Sequence, residues 1–227
     1  YETSWGFKVH PLVKGADGKR FASIKEAFDA WQKYSNERFN SLLEYETELN
    51  HIFIKQYGLD SDISPEVQES DITLRRANLG EDIRSFISYA VGCMFGRYSL
   101  DCTGVVCAGD NMLSDEYVSY TPDKDNILPI CDDEYFEDDI VGKFVEFVRT
   151  VYGEASLEDN LSYIAKGLGA SGNPREVIRN YFINDFFRDH CSVYSVGSIG
   201  KRPIYWLFDS GKKNLSLIHI SEPTRRS

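Results

Sequence analysis

The sequence predicts a mainly α-helical fold with short β segments, α+β overall. Three observations carry this expectation. Apolar residues recur at spacings of three and four over long stretches, helix-start signals stand in front of those stretches, and runs rich in Val, Ile, Tyr and Trp are confined to places near 104–108, 126–131 and 203–208.

Residues 1–22 form an entry segment. Ser23 with Glu26 is a capping box, in which hydroxyl and carboxylate satisfy free amides at a helix start. Phe28, Trp31, Phe39, Leu42, Leu49, Ile52 and Phe53 then gather on one helical face, and Gly58 in "KQYGLD" ends the run. A polar-faced helical stretch of this length suits a spacer or a helical hairpin. Asn78 with Glu81 opens a second helix, "LGEDIRSFISYAVGCMFGRYS", apolar nearly all round from Phe86 to Phe95 and therefore expected to be buried. Gly92 and Gly96 form a GxxxG pair inside it, which in a helix outside a membrane permits close packing of a neighbour. Residues 23–99 together make the long helical spacer and buried helix.

From 100 to 132 the Gly, Asp, Asn and Pro content rises and helical periodicity disappears, leaving loop with short strands in "GVVCAG" and "NILPIC". Residues 133–196 return to helix. "DDEYFEDDIVGKFVEFVRTVYGE" places Phe136, Ile140, Phe144, Phe147 and Val151 on one face, with its acids in the first turns where the helix dipole favours them. Ser156 caps a short helix from Leu157 to Leu168, and Asn173 with Pro174 opens another that turns Val177, Ile178, Tyr181, Phe182 and Phe186 inward. Residues 197–214 start a β element with "RPIYWLF". The last stretch, 215–227, reads "LSLIHISEPTRRS" and resembles the translation of a transposase-type sequencing adapter, so it is expected to stand outside the fold. The chain begins at Tyr1, within a motif and without methionine, and is expected to be an internal piece of a longer protein.

Composition narrows the function classes. A hydrophobic fraction of 42% and an aromatic fraction of 14% are enough for a packed core. The net charge is −11, and removing Arg225, Arg226 and Glu222 with the suspect tail makes it −12. A broad phosphate-binding face needs the opposite sign, so most of this surface does not lie on DNA, although a local basic patch is compatible with the total. The five cysteines (Cys93, Cys102, Cys107, Cys131, Cys191) form no CxxC pair, which argues for structural, reduced thiols of a cytoplasmic protein and against a zinc site. No apolar run reaches the ~18 residues of a membrane span.

Several motifs are weaker than they first look. "GLGASG", Gly167 to Gly172, matches the dinucleotide pattern but follows a helix, and a phosphate cradle needs a strand there, so a helix end, a turn and the next cap are expected. Asp132, Asp133, Glu137 and Asp139 could hold a hard cation, but the turn glycine and alternating ligands of an oxygen cage are missing. Pro122 and Asp123 suggest a nuclease signature without its downstream (Asp/Glu)-x-Lys. GxSxG, P-loop and HExxH patterns do not occur, and His10, His51 and His190 are isolated. Basic pairs stand at Arg75 and Arg76, at Lys201 and Arg202, and at Lys212 and Lys213. Lys201 and Arg202 beside Tyr205 and Trp206 are the candidate DNA-proximal patch, because cations next to exposed aromatics suit backbone contact combined with base stacking.

Six blocks taken in order, "YETSWGFKVHPL", "NHIFIKQYGL", "DIRSFISYAVGCMFGRYSLD", "PDKDNILPICDDEYFEDDIVGKFVEFVRTVYG", "REVIRNYF" and "KRPIYWLFDSGKK", resemble the PglX family. These are adenine-specific DNA methyltransferases of BREX phage-defence systems, related to type IIG restriction-modification enzymes. One position departs, Gly6, where the family pattern has aspartate. The resemblance implies a parent that moves a methyl group from S-adenosylmethionine to an adenine amine in double-stranded DNA. That chemistry needs a glycine-rich cofactor loop and an (Asn/Asp)-Pro-Pro-(Tyr/Phe) motif, and neither occurs in these residues. The resemblance therefore carries over no catalytic, cofactor or metal residue, and places the chain downstream of the catalytic domain, as a helical spacer leading to a target-recognition region. Two other readings stay open: an interaction module that docks proteins of the defence complex through the GxxxG helix and an acidic face, and part of a type IIG enzyme.

Overall fold

In a computed structural model the chain is described at residues 2–4, 6–59, 62–106, 116–194, 204–210 and 216–220. The described elements are α1 (Ile24–Tyr57), α2 (Leu79–Met94), β1 (Ile127–Ile130), α3 (Ile140–Tyr152), α4 (Leu157–Gly167), α5 (Pro174–Tyr181), α6 (Phe187–Val193), β2 (Tyr205–Asp209) and β3 (Ser216–Ile220). Helix dominates, as the periodicity predicts. The chain divides into two compact units, one of residues 1–27 with 79–227 and one of residues 28–78. This division cuts the chain differently from the sequence: α2 belongs with the later helices rather than with the spacer.

Helix α1 starts where Ser23 Oγ accepts from the Glu26 amide (3.2 Å), while Glu26 accepts from Ala22 N (3.0 Å). Its end is set by Gly58, whose φ of 66° suits glycine. In the unit of residues 28–78 the chain does not return as a second helix. It runs back beside α1 in extended form, interrupted by one 3₁₀ turn at Glu69–Asp71. Arg76 fastens this return: its guanidinium lies 4.0 Å from the ring centre of Phe39 and donates to Asn36, Asn40 and Glu69 (3.3, 3.2 and 3.0 Å). The Ala77 amide donates to Ser35 Oγ (2.8 Å). Of the basic pair at 75 and 76, Arg76 is thus spent within the unit.

The other unit packs α2 against α3 and α4 around an aromatic core. Phe86 lies within aromatic contact of Phe144, Phe147 and Tyr152, and all four are buried. Helices α3 and α4 come together with α5, whose Val177, Ile178 and Tyr181 are buried, followed by a π turn that buries Phe182 and Phe186. Gly167 lets α4 approach α2 closely, since a Cβ there would lie 2.5 Å from Ile83 Cγ1. Gly169 then turns at φ 80°, and Asn173 caps α5 with Pro174 at its first position. "GLGASG" is therefore a close approach, a turn and a cap.

Three expectations need correction. Helix α3 begins at Ile140 rather than near Asp133, because Asp139 is its cap, accepting from Val141 N (3.0 Å) and Gly142 N (3.2 Å). Phe136 is consequently exposed and not on the helix face. Of the strand expected near 104–108, residues 104–106 are not strand, and 107–108 lie outside the described residues. Ser216–Ile220, in the tail expected to stand apart, forms the middle strand of an antiparallel sheet ordered β1, β3, β2. Ile218 faces Leu128 and Leu207 across the two pairings and is fully buried.

Candidate nucleic-acid interface

Strand β2 has a period of two, so its first residue decides which face every later side chain takes. Tyr205 goes inward, 1% exposed, and Trp206 and Phe208 go outward, 62% and 71% exposed. The pairing aligns Ile127 and Leu217, both half-buried, on the outward face beside these aromatics. Two large rings, two residues apart on one strand, are thus exposed on the same face.

His190 of α6 sets this phase. Its Nε2 accepts from the amides of Ile204 (3.1 Å) and Tyr205 (3.4 Å), so the imidazole serves as the hydrogen-bond partner for the start of β2. The Tyr205 ring stacks on that imidazole at 4.4 Å and meets the Phe95 ring, tilted, at 5.0 Å. An accepting Nε2 leaves the ring proton on Nδ1, which is buried without a partner. Burial, and then the Arg97 charge, push the His190 pKa down to about 4, so the ring stays neutral and keeps its acceptor.

Behind the strand lies a second polar group. The Glu2 carboxylate accepts from Ser88 Oγ (3.2 Å) and from the Tyr194 hydroxyl, and Tyr194 packs on His190 at 4.7 Å. Glu2 Oε1 has no partner, and burial raises the Glu2 pKa to about 7 against the pull of Tyr194, Ser88 and Arg97. Hydrogen bonds and ring contacts thus run from the entry segment through α6 to β2. His10 is separate: Nδ1 accepts from Leu12 N (3.2 Å), Nε2 donates to Ser85 Oγ (3.2 Å), and burial lowers its pKa to about 3.

These shifts act on opposite sides of neutrality. Glu2 has a raised folded pKa, so its contribution is complete below its ordinary 4.5 and is lost as pH rises through about 7. His190 and His10 have lowered folded pKa values, so theirs is complete above 6.5 and is lost as pH falls toward 4 and 3. Glu2→Gln mimics the protonated carboxyl. It is expected to gain about 2.5 kcal/mol relative to the parent between pH 5 and pH 8, measured by denaturant titration. An equal difference at both pH values would contradict a buried carboxyl here.

The four residues of the candidate patch fall into three cases. Lys201 and Arg202 lie outside the described residues. Tyr205 is in the core, which corrects the expectation of an exposed ring: the bonds from the Ile204 and Tyr205 amides to His190 turn its side chain inward. Trp206 is on the surface as expected. Phe208 belongs with it and was missed, although the alternation of "YWLF" couples it to Trp206 whichever face is outward. Residues 132–138 stay on the surface, and the described residues contain no group of His, Cys, Asp or Glu fit for a metal ion. Asp139, the fourth of the acids considered for a cation, is buried against Arg179 (2.8 and 3.0 Å). Among the described residues, no helix is long and apolar enough to cross a membrane.

No family model matches the chain. It is 44% identical over 217 residues to the adenine-specific methyltransferase PglX of Lacticaseibacillus casei (strain Zhang), a match covering 93% of this chain and 18% of that protein. It is 32% identical to the adenine-specific methyltransferase BrxX of Escherichia coli O9:H4 (strain HS), covering 94% of this chain and 19% of that one. The chain therefore spans about one-fifth of the length of these relatives.

Proposed function

We propose, from the premise that this chain is the counterpart of a segment of the PglX and BrxX adenine-specific methyltransferases, that it supports DNA recognition in such an enzyme and does none of the chemistry. The parent transfers the methyl group of S-adenosylmethionine to adenine in double-stranded DNA. This segment adds contact through the outward face of β2. The observation that carries the reading is the pair Trp206 and Phe208, exposed side by side on a strand whose register is fixed from behind by His190. An acidic segment fits this role if its DNA contact is small and local, and Lys201 and Arg202, which precede β2 in the sequence, supply the cations.

The test is made in the whole methyltransferase with a duplex carrying its site. Trp206→Ala and Phe208→Ala each weaken binding by about tenfold, the scale of one lost stacking contact, and leave the salt dependence unchanged. Lys201→Ala with Arg202→Ala reduces the slope of log affinity against log salt by roughly two. Unchanged affinity in the first pair and an unchanged slope in the second would overturn the reading.

One observation favours a second reading, a docking module for other defence proteins. Tyr135 and Phe136 stand exposed among Asp132, Asp133, Glu134 and Glu137, an acidic aromatic loop suited to a basic protein surface. Charge reversal at Asp132, Asp133 and Asp138 separates the two, because loss of partner pull-down with intact DNA affinity favours docking. Asp139 is left out of that set, since its pairing with Arg179 makes it structural.

A further inference from the structure

The distal half of α1 carries an apolar face that the unit of residues 28–78 does not cover. At 100° per residue, Tyr45, Leu49, Ile52, Phe53 and Tyr57 fall within an arc of about 140°. All five are exposed, between 50% and 71%. The same face is buried nearer the start of the helix, at Phe28 and Phe39. The extended return arm does not reach it, because it tracks Ser35, Asn36, Asn40 and Asn50, the last donating to Pro65 O (3.2 Å). A stripe of this size is more than scattered surface hydrophobicity. Glu46 lies within its arc and Glu48 at its margin, so a complementary surface is apolar with lysine or arginine at its edges.

We propose that this stripe is a docking face for another segment of the same polypeptide, an amphipathic element with an apolar face and basic margins lying outside residues 1–227. More than four-fifths of the PglX relative lies outside the matched part, so the occupant has ample chain to come from. Covalent linkage raises its effective concentration far above that of a free partner. The net charge of −11 here also leaves the cations of a DNA-binding enzyme to be supplied elsewhere, which favours basic margins on what docks. The inference rests on kinship with longer DNA-modifying proteins and not on DNA contact by β2, so the affinities of the Trp206 and Phe208 variants do not bear on it.

The test places the photo-crosslinking residue p-benzoylphenylalanine at Phe53, and separately at Tyr45, in the whole methyltransferase. Heavy-isotope and ordinary copies are mixed before irradiation and the crosslinked peptides are mapped. The expected result is a crosslink within one isotopic copy to a residue outside the counterpart of 1–227, retained when protein is diluted tenfold. Ile52→Asp should then reduce that crosslink at least fivefold and deprotect the captured segment in hydrogen exchange. Crosslinks joining heavy and light copies would assign the face to a second molecule, capture of a different protein would assign it to a partner, and no crosslink would leave it solvent-exposed. Each of these three results overturns the proposal.

Discussion

Replacing Arg179 with alanine should lower stability by about 3–5 kcal/mol, the cost of leaving a buried carboxylate without its partner. Arg179 reaches from α5 to the cap of α3, where both its terminal nitrogens meet Asp139 (2.8 and 3.0 Å) and one also donates to Cys131 O (2.8 Å). The Asp139 side chain is 1% exposed, so water cannot replace the guanidinium. One side chain therefore ties the end of β1, the start of α3 and the last turn of α5. Adding Asp139→Asn to Arg179→Ala should recover part of the loss, because asparagine still caps the helix and carries no charge. Guanidinium titration of both variants checks this, and a loss below about 1 kcal/mol in the single variant would show that the pair is not desolvated.

Gly92→Ala should destabilise by about 1–3 kcal/mol, although alanine in place of glycine normally favours a helix. A Cβ at residue 92 would lie 2.7 Å from Cε2 of Tyr98 and 3.5 Å from the Tyr205 hydroxyl. The Tyr98 ring cannot retreat easily: it is buried, stacked on Tyr89 at 5.1 Å, and its hydroxyl accepts from Arg97 Nε (3.1 Å). Gly142→Ala is the matched control. A Cβ at 142 meets only the end of the Glu134 side chain at 3.3 Å, so that variant should be neutral or gain up to about 1 kcal/mol. The same sign for both would refute close packing at Gly92.

The GxxxG pair shows what the sequence makes legible. Close approach at Gly92 follows from the spacing within an apolar helix, but the neighbour is Tyr98 on the turn that follows, not a second helix. Gly96 has its own reason, a φ of 69° that ends α2 and lets the Arg97 amide donate back to Gly92 O (2.8 Å). Helix starts with local signatures, Ser23 with Glu26 and Asn173 with Pro174, were readable because their bonds close within three residues. The start of α3 was not, because a partner 40 residues away in sequence selects Asp139 among several acids.

The phase of β2 was hidden for a similar reason. "IYWLF" is apolar on both faces, so periodicity alone cannot say whether Tyr205 or Trp206 faces the core. His190 makes that choice through main-chain bonds, and an isolated histidine in sequence gives no hint of them. The place of β3 was equally illegible. Paired edges on β1 and β2 are satisfied by main-chain bonds that any short apolar segment can offer, and Ile218 adds a fully buried side chain. With β3 present, one edge of β2 has a partner.

DNA contact without chemistry is put to the test by single-turnover adenine methylation in the whole enzyme carrying Trp206→Ala and Phe208→Ala. The account predicts that the DNA concentration giving half-maximal rate rises by at least tenfold while the rate at saturating DNA stays the same. A fall in the saturated rate with unchanged DNA dependence would contradict it, because the β2 face would then act on the reacting centre and not on binding.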